Sequence, residues 1–114
     1  MSGSNWIDVA QVIDFDPGTA RLVNILGRQI AVVNLGGEFY AFEDKCTHAD
    51  WPILGSGLDA KDLMEGDAII CSRHGARFCM RTGAALTPPA YEPLVCFPVR
   101  VLGGMVQTGL YRPD

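Results

Sequence analysis

The stretch Gln29-Ile30-Ala31-Val32-Val33-Asn34-Leu35-Gly36-Gly37-Glu38-Phe39-Tyr40-Ala41-Phe42-Glu43 decides the fold class. β-Branched and aromatic residues fill two runs, Gln29–Leu35 and Glu38–Glu43. The junction Leu35-Gly36-Gly37-Glu38 supplies the positive-φ residues of a tight hairpin, which would join Val32 and Val33 on one arm to Tyr40 and Phe42 on the other. Upstream, Trp6–Ala10 and Ala20–Ile25 repeat the pattern between Gly and Pro punctuation, so a β-meander is expected over the first third. Downstream, short strands are expected at Ala68–Cys71 and Arg77–Met80. Val95, Phe97, Val99 and Val101 alternate on one face, and Gly103-Gly104 turns the chain into Met105–Thr108. Pro98 inside that run predicts an edge strand or a bulge. One short helix is expected over Leu58–Met64, with Asp59 as its N-cap.

The fold class is therefore all-β, as one domain over residues 1–114 with no repeat, low-complexity tract or linker. Apolar residues make up 48% of the chain and charged residues 19%, the balance of a folded domain rather than a disordered one. Nine Lys and Arg against 13 Asp and Glu give a net charge of -4, which offers no basic footprint for nucleic acid or anionic lipid and suits a basic protein partner. The start, Met1-Ser2-Gly3-Ser4-Asn5, lacks the features of a signal peptide, and no apolar run could span a bilayer; no membrane contact and a cytoplasmic location are expected. From Asp44 to about Pro93 the regularity weakens into loops carrying Cys, His, Trp, Pro and Gly, so something other than apolar packing is expected to organise this stretch.

Four cysteines without a secretory signal argue for metal binding or buried thiols rather than a disulfide framework. Two motifs stand out: Cys46-Thr47-His48, and Cys71-Ser72-Arg73-His74-Gly75, with the 22 residues 49–70 between them. Each offers one sulfur and one nitrogen. Residues at i and i+2 share a face of a strand, whereas Cys71 and His74 cannot, so the second pair requires a loop. Gly75 fits a close backbone approach to a bound group. A [2Fe–2S] cluster takes four protein ligands, two per iron, and two imidazoles in place of thiolates raise its potential and leave a site that can be protonated. Cys46 and Cys71 would bind the inner iron, and His48 and His74 the outer one. A structural zinc uses the same donors, but such sites usually take both Cys from one knuckle and both His from another, whereas here each loop is mixed.

These motifs resemble the Rieske family, whose signature is Cys-x-His in a first loop and Cys-x-x-His-Gly in a second. Phe78, Thr82-Gly83 and Pro88-Pro89 resemble the positions that continue the second loop, turn a hairpin and cover the cluster. The resemblance spans nearly the whole chain and is closest to the small Rieske ferredoxins of bacterial aromatic-ring oxygenase systems. It implies an antiparallel β-sandwich scaffold with a smaller cluster-binding subdomain over about residues 44–93. It also implies one Rieske-type [2Fe–2S] cluster, no catalytic residue, a flavoprotein ferredoxin reductase as electron donor and a terminal oxygenase as acceptor. The span 49–70 is a few residues longer than in typical ferredoxins of the family. Arg73 stands where respiratory members have a Cys, and Ala49-Asp50 supplies none after His48, so the disulfide between those members' loops is absent. Ala76 and Phe78 stand where high-potential members have a Ser and a Tyr that donate hydrogen bonds, which implies a low potential here.

A catalytic oxygenase subunit would need a second iron held by two His and a carboxylate, and only His48 and His74 exist. The small Rieske-like subunit of an assimilatory nitrite reductase is the alternative carrier, and a zinc-stabilised binding module is the alternative of another class. Cys79 and Cys96 are read as unbridged thiols packed as small hydrophobes rather than a redox disulfide or extra ligand. Trp51 and Pro52 either shape a docking face or pack. The five charges from Asp59 to Asp67 are expected to form a solvated loop. Arg73 and Arg77 are expected to be exposed, with cluster tuning or an acidic partner as the other role.

Overall fold

The computed structural model describes residues 6–46, 52–54, 60–71, 75–87 and 92–109. Among them the strands are β1 (Ile7–Gln11), β2 (Ala20–Ile25), β3 (Arg28–Leu35), β4 (Glu38–Glu43), β5 (Met64–Glu65), β6 (Ala68–Ile70), β7 (Arg77–Cys79), β8 (Cys96–Phe97), β9 (Val99–Leu102) and β10 (Met105–Thr108), with one α-helix, α1 (Ala60–Leu63), and one 3₁₀ turn at Val12–Asp14. They form three antiparallel sheets, in the orders β1-β10-β9, β2-β3-β4-β8 and β5-β6-β7. The all-β expectation holds.

The β3-β4 hairpin forms as its sequence demands. Leu35 pairs with Glu38, Val33 with Tyr40 and Ala31 with Phe42, around Gly36 and Gly37 at φ 64° and 97°. Beside the turn, the buried Asn34 is satisfied at both ends: its amide nitrogen donates to the Phe15 carbonyl at 2.7 Å, and its Oδ1 accepts from the Gly37 N–H at 2.8 Å.

Four consecutive residues of β3, Ile30 to Val33, are wholly buried, because this sheet is covered on both faces. Ile30 and Val32 pack with Phe15, Ala41, Phe97 and Val106, so one face lies against the β1-β10-β9 sheet. Ala31 and Val33 pack with Phe42, Ile69, Phe78 and Met80, so the other lies against the β5-β6-β7 sheet. Each large apolar side chain buried there contributes about 1.5–3 kcal/mol.

Three expectations are corrected. The first third is not a simple meander: β2, β3 and β4 follow one another, but β1 pairs with β10 from the far end of the chain, Ile7 opposite Thr108. The run from Val95 to Val101 is not one strand with one buried face. Proline cannot continue a ladder for want of an N–H, and at Pro98 the chain leaves β8, paired to β4, for β9, paired to β10. Phe97 is buried accordingly, while Val95 and Val101 are 45% and 49% exposed. The helix ends at Leu63 rather than at the expected Met64, because Met64 and Glu65 pair with Ile69 and Ala68 in a hairpin instead. Leu58 and its expected N-cap Asp59 lie outside the described residues.

The charged segment up to Asp67 is exposed as expected, with Lys61, Asp62, Glu65 and Asp67 all at the surface, and two of its acids also make ion pairs. Glu65 pairs with Arg77. Arg81 donates to Asp67 Oδ2 at 2.9 Å, to Glu38 and to the Tyr40 hydroxyl at 2.7 Å, with its guanidinium 5.4 Å from the Tyr40 ring. Arg81 thus ties the turn after β7 to the β3-β4 hairpin. Among the described residues no helix is long and apolar enough to cross a membrane.

Two outcomes are expected. Leu26, 88% exposed, sits at φ 52° in the two-residue turn between β2 and β3, where a branched side chain is strained and Asn is tolerated. Leu26→Asn is expected to stabilise the fold by about 1 kcal/mol, read as a rise in thermal midpoint of about 4 °C. Arg81, by hydrogen bond and charge, holds the Glu38 carboxyl below its ordinary range. A depressed carboxyl stabilises the fold above its unfolded pKa, roughly 4.3, and loses that contribution as pH falls through its lower folded value. Arg81→Ala should therefore lower the urea midpoint at pH 6 and narrow the gap between midpoints at pH 6 and pH 3.

Candidate metal centre

Cys46 lies three residues past the end of β4 and Cys71 directly past β6. Both are fully buried, neither is in a disulfide, and they share one apolar cluster with Ile53, Leu54, Leu63, Ala76, Phe78 and Met80. Two thiols far apart in sequence are thus buried in the same cluster behind one face of the central sheet. His48 and His74, with Thr47 and Ser72-Arg73, lie outside the described residues, as do Trp51 and Pro88-Pro89. Accordingly, no group of three or more metal-ligating side chains gathers among the described residues.

The first loop is closed at its base by Asp44. This buried carboxylate accepts through Oδ1 from the Ile53 N–H at 3.0 Å and the Leu54 N–H at 2.6 Å, and through Oδ2 from the Gln29 side-chain amide at 2.8 Å. Its own N–H donates to the Gln29 carbonyl at 2.9 Å, which anchors the acid to β3. Pro52, just before this clamp, is half-buried.

The second loop is closed by a reciprocal pair of backbone bonds: the Cys71 N–H donates to the Ala76 carbonyl and the Gly75 N–H donates to the Cys71 carbonyl, both at 2.8 Å. Gly75 has φ 72°, a left-handed conformation that L side chains rarely adopt, so the glycine is required by the turn itself. Gly83 is also required, by packing: a Cβ there would stand 2.7 Å from both the Leu94 carbonyl oxygen and Cys96 Sγ. Beyond the loop, residues 84–87 run beside β7. The Leu86 N–H donates to the Arg77 carbonyl, the Arg77 N–H to Thr87 Oγ1 at 3.1 Å, and Phe78 bridges to Ala85.

Of the remaining sequence candidates, Arg77 is partly exposed and paired with Glu65. Cys79 and Cys96 are half-buried and outside disulfides, as expected. A hydrogen bond with Thr82 pulls the Cys79 thiol below its ordinary pKa, and Cys96 packs at the margin of the cluster that holds Cys46 and Cys71. The donor set fits the group the motifs imply: two buried thiols on separate loops, each leading within three residues to a His.

Residues 5–98 match the Rieske [2Fe–2S] domain. The chain belongs to the Rieske family. It is 38% identical over 92 residues to the biphenyl dioxygenase ferredoxin subunit of Pseudomonas sp. (strain KKS102), covering 81% of this chain and 80% of that protein. It is 40% identical over 101 residues to the 3-phenylpropionate/cinnamic acid dioxygenase ferredoxin subunit of Escherichia coli (strain K12), covering 88% and 89%. Among solved structures it resembles a chain in the complex of reduced oxygenase and oxidized ferredoxin in carbazole 1,9a-dioxygenase, with TM-score 0.81, 37% identity and 94% of each chain covered. This Rieske chain carries one Rieske-type [2Fe–2S] cluster and is an electron-transfer component rather than a catalyst. The zinc-module alternative falls with that membership.

Sequence reasoning missed Asp44, Thr87 and the close approach at Gly83. Asp44 stands in the charged run Glu43-Asp44-Lys45, where nothing local separates a buried acid from an exposed one. Ala76 and Phe78 are both fully buried in the cluster with the two cysteines, and neither side chain can donate a hydrogen bond. A midpoint near roughly -150 mV is therefore expected by protein-film voltammetry, at the low end of the Rieske range. Ala76→Ser with Phe78→Tyr should raise it, and a wild-type value near roughly +300 mV would contradict the assignment.

Proposed function

We propose that Cys46, His48, Cys71 and His74 are the four cluster ligands, and that the chain carries single electrons from a flavoprotein ferredoxin reductase to a terminal oxygenase of the aromatic-ring dioxygenase type. The observation that carries the ligand set is the full burial of Cys46 and Cys71 in one apolar cluster, each followed within three residues of sequence by a His. When bound, the cluster takes up and releases one electron. The chain's own residues would wall off the sulfurs: Leu54, Phe78 and Met80, buried in the cluster with both cysteines, would exclude water there.

Within the single domain 1–114, residues 44–93 act as the cluster-binding subdomain, and the β5-β6-β7 sheet and both cysteines lie inside those bounds. The acceptor is favoured by the relatives. Two are ferredoxin subunits of dioxygenases acting on aromatic compounds, and a similar chain occurs in a complex of ferredoxin with oxygenase. The same names favour this acceptor over an assimilatory nitrite reductase. A net charge of -4 fits partners with basic docking faces, and the cytoplasm is the compartment proposed.

Metal and sulfide analysis of the purified chain tests the ligand set, with about two irons and two inorganic sulfides expected per chain. Ala at any one of Cys46, His48, Cys71 or His74 should abolish that content, whereas Cys79→Ser and Cys96→Ser should retain it. Bleaching by Cys79→Ser alone would refute the assignment. In reconstitution, product from an aromatic substrate should appear only with reductase and oxygenase both present; product from this chain alone would refute the carrier role.

A further inference from the structure

We propose that Asp44 is the positioning residue of the first ligand loop: its carboxylate, held on β3 and closed over the Ile53 and Leu54 amides, sets where Cys46 and His48 stand. The inference rests on the ligand set proposed above. Two adjacent backbone N–H groups converge on one carboxylate oxygen, Oδ1, at 3.0 and 2.6 Å, so the chain that leaves β4 at Asp44 must return to the same point nine residues later. The other oxygen accepts from Gln29, and the Asp44 N–H donates to the Gln29 carbonyl, so the clamp is fastened to the central sheet rather than to the loop it closes. Asp44 is 3% exposed and Ile53 is fully buried, so water cannot replace these bonds if the acid is removed. The second loop needs no such residue, since the Cys71–Ala76 and Gly75–Cys71 backbone bonds close it directly. The first loop spans more residues than one turn can bridge, and a side chain makes the closure.

Acceptor geometry can be separated from charge by substitution. Asp44→Asn keeps an oxygen where Oδ1 stands and loses the charge, while Gln29 can rotate its amide to accept from the new NH₂ group. Asp44→Glu keeps charge and both oxygens but displaces them by one methylene. Asp44→Ala removes the acceptor. The full-length holoprotein of each variant would be compared with wild type by the EPR g-values of the reduced cluster, by midpoint potential and by the rate of bleaching in excess chelator, with the thermal midpoint of each chain as the measure of general stability.

Asp44→Asn is expected to keep wild-type g-values and bleaching. Asp44→Glu and Asp44→Ala are expected to shift the g-values and bleach at least about tenfold faster, the scale of one unmade buried hydrogen bond. Wild-type spectra and bleaching in Asp44→Glu or Asp44→Ala would overturn the proposal, and so would equal losses in Asp44→Asn and Asp44→Ala. If Asp44→Ala yields no folded chain, the contrast between Asn and Glu decides alone. Cys46→Ala run in parallel isolates the underlying assignment: a cluster that survives it defeats the ligand set whatever the Asp44 variants do.

Discussion

Burial of the β3-β4 hairpin on both faces is the constraint on which the rest of the structure depends. A hairpin with one apolar face needs one covering layer; this one, with Ile30 and Val32 on one side and Ala31 and Val33 on the other, needs two. The first layer is the sheet in which the chain's early strand β1 pairs with its last, β10. The second is the small β5-β6-β7 sheet, whose Ile69 and Phe78 share a buried cluster with Cys46 and Cys71. Its contact with Phe42 and Val33, and the Arg81 clasp to Glu38 and Tyr40, join it to the hairpin.

The two cysteine loops solve one problem by different means. A metal site needs its ligands fixed before the metal arrives or ordered as it binds, and ordering costs roughly 1–2 kcal/mol per backbone residue. The second loop is short enough for Cys71 to exchange hydrogen bonds with Gly75 and Ala76, given a glycine at φ 72°. The first loop is longer, and its closure falls to the buried side chain of Asp44. Phe78, Met80 and Leu54, which share the cluster with both cysteines, would also tune the electron affinity of a group held there, because hydrogen-bond donors near the sulfurs stabilise the reduced state and apolar neighbours do not.

The differences between expectation and structure share a cause. Strand existence was legible for Ala20–Ile25 and Glu38–Glu43 to the residue, since alternation and turn glycines are local signals. Partner choice was not legible. β1 has the pattern of a meander strand and yet pairs across the whole chain, and Pro98 looks like a flaw in one strand and yet marks the passage between two sheets. Met64 continues a helical pattern but is captured by Ile69, a hairpin contact that outweighs the weak preference of a one-turn helix.

By itself the sequence determined the fold class, the hairpin register and the identity of the chemistry, because Cys-x-His and Cys-x-x-His-Gly name the donor atoms directly and no packing can change which atoms a side chain offers. It also determined that the loop cannot form the disulfide of respiratory members, since the cysteines are not there to make it. Tertiary structure alone decided that Cys46 and Cys71 share one buried cluster, that the exposed Glu65 and Asp67 find Arg77 and Arg81 as partners, and that Asp44, among the acidic residues described, is the one turned inward to hold a loop. The reason is physical: the free energy of a buried carboxylate depends on which N–H groups surround it, and those arrive from residues 29, 53 and 54, which only the folded chain brings to one point.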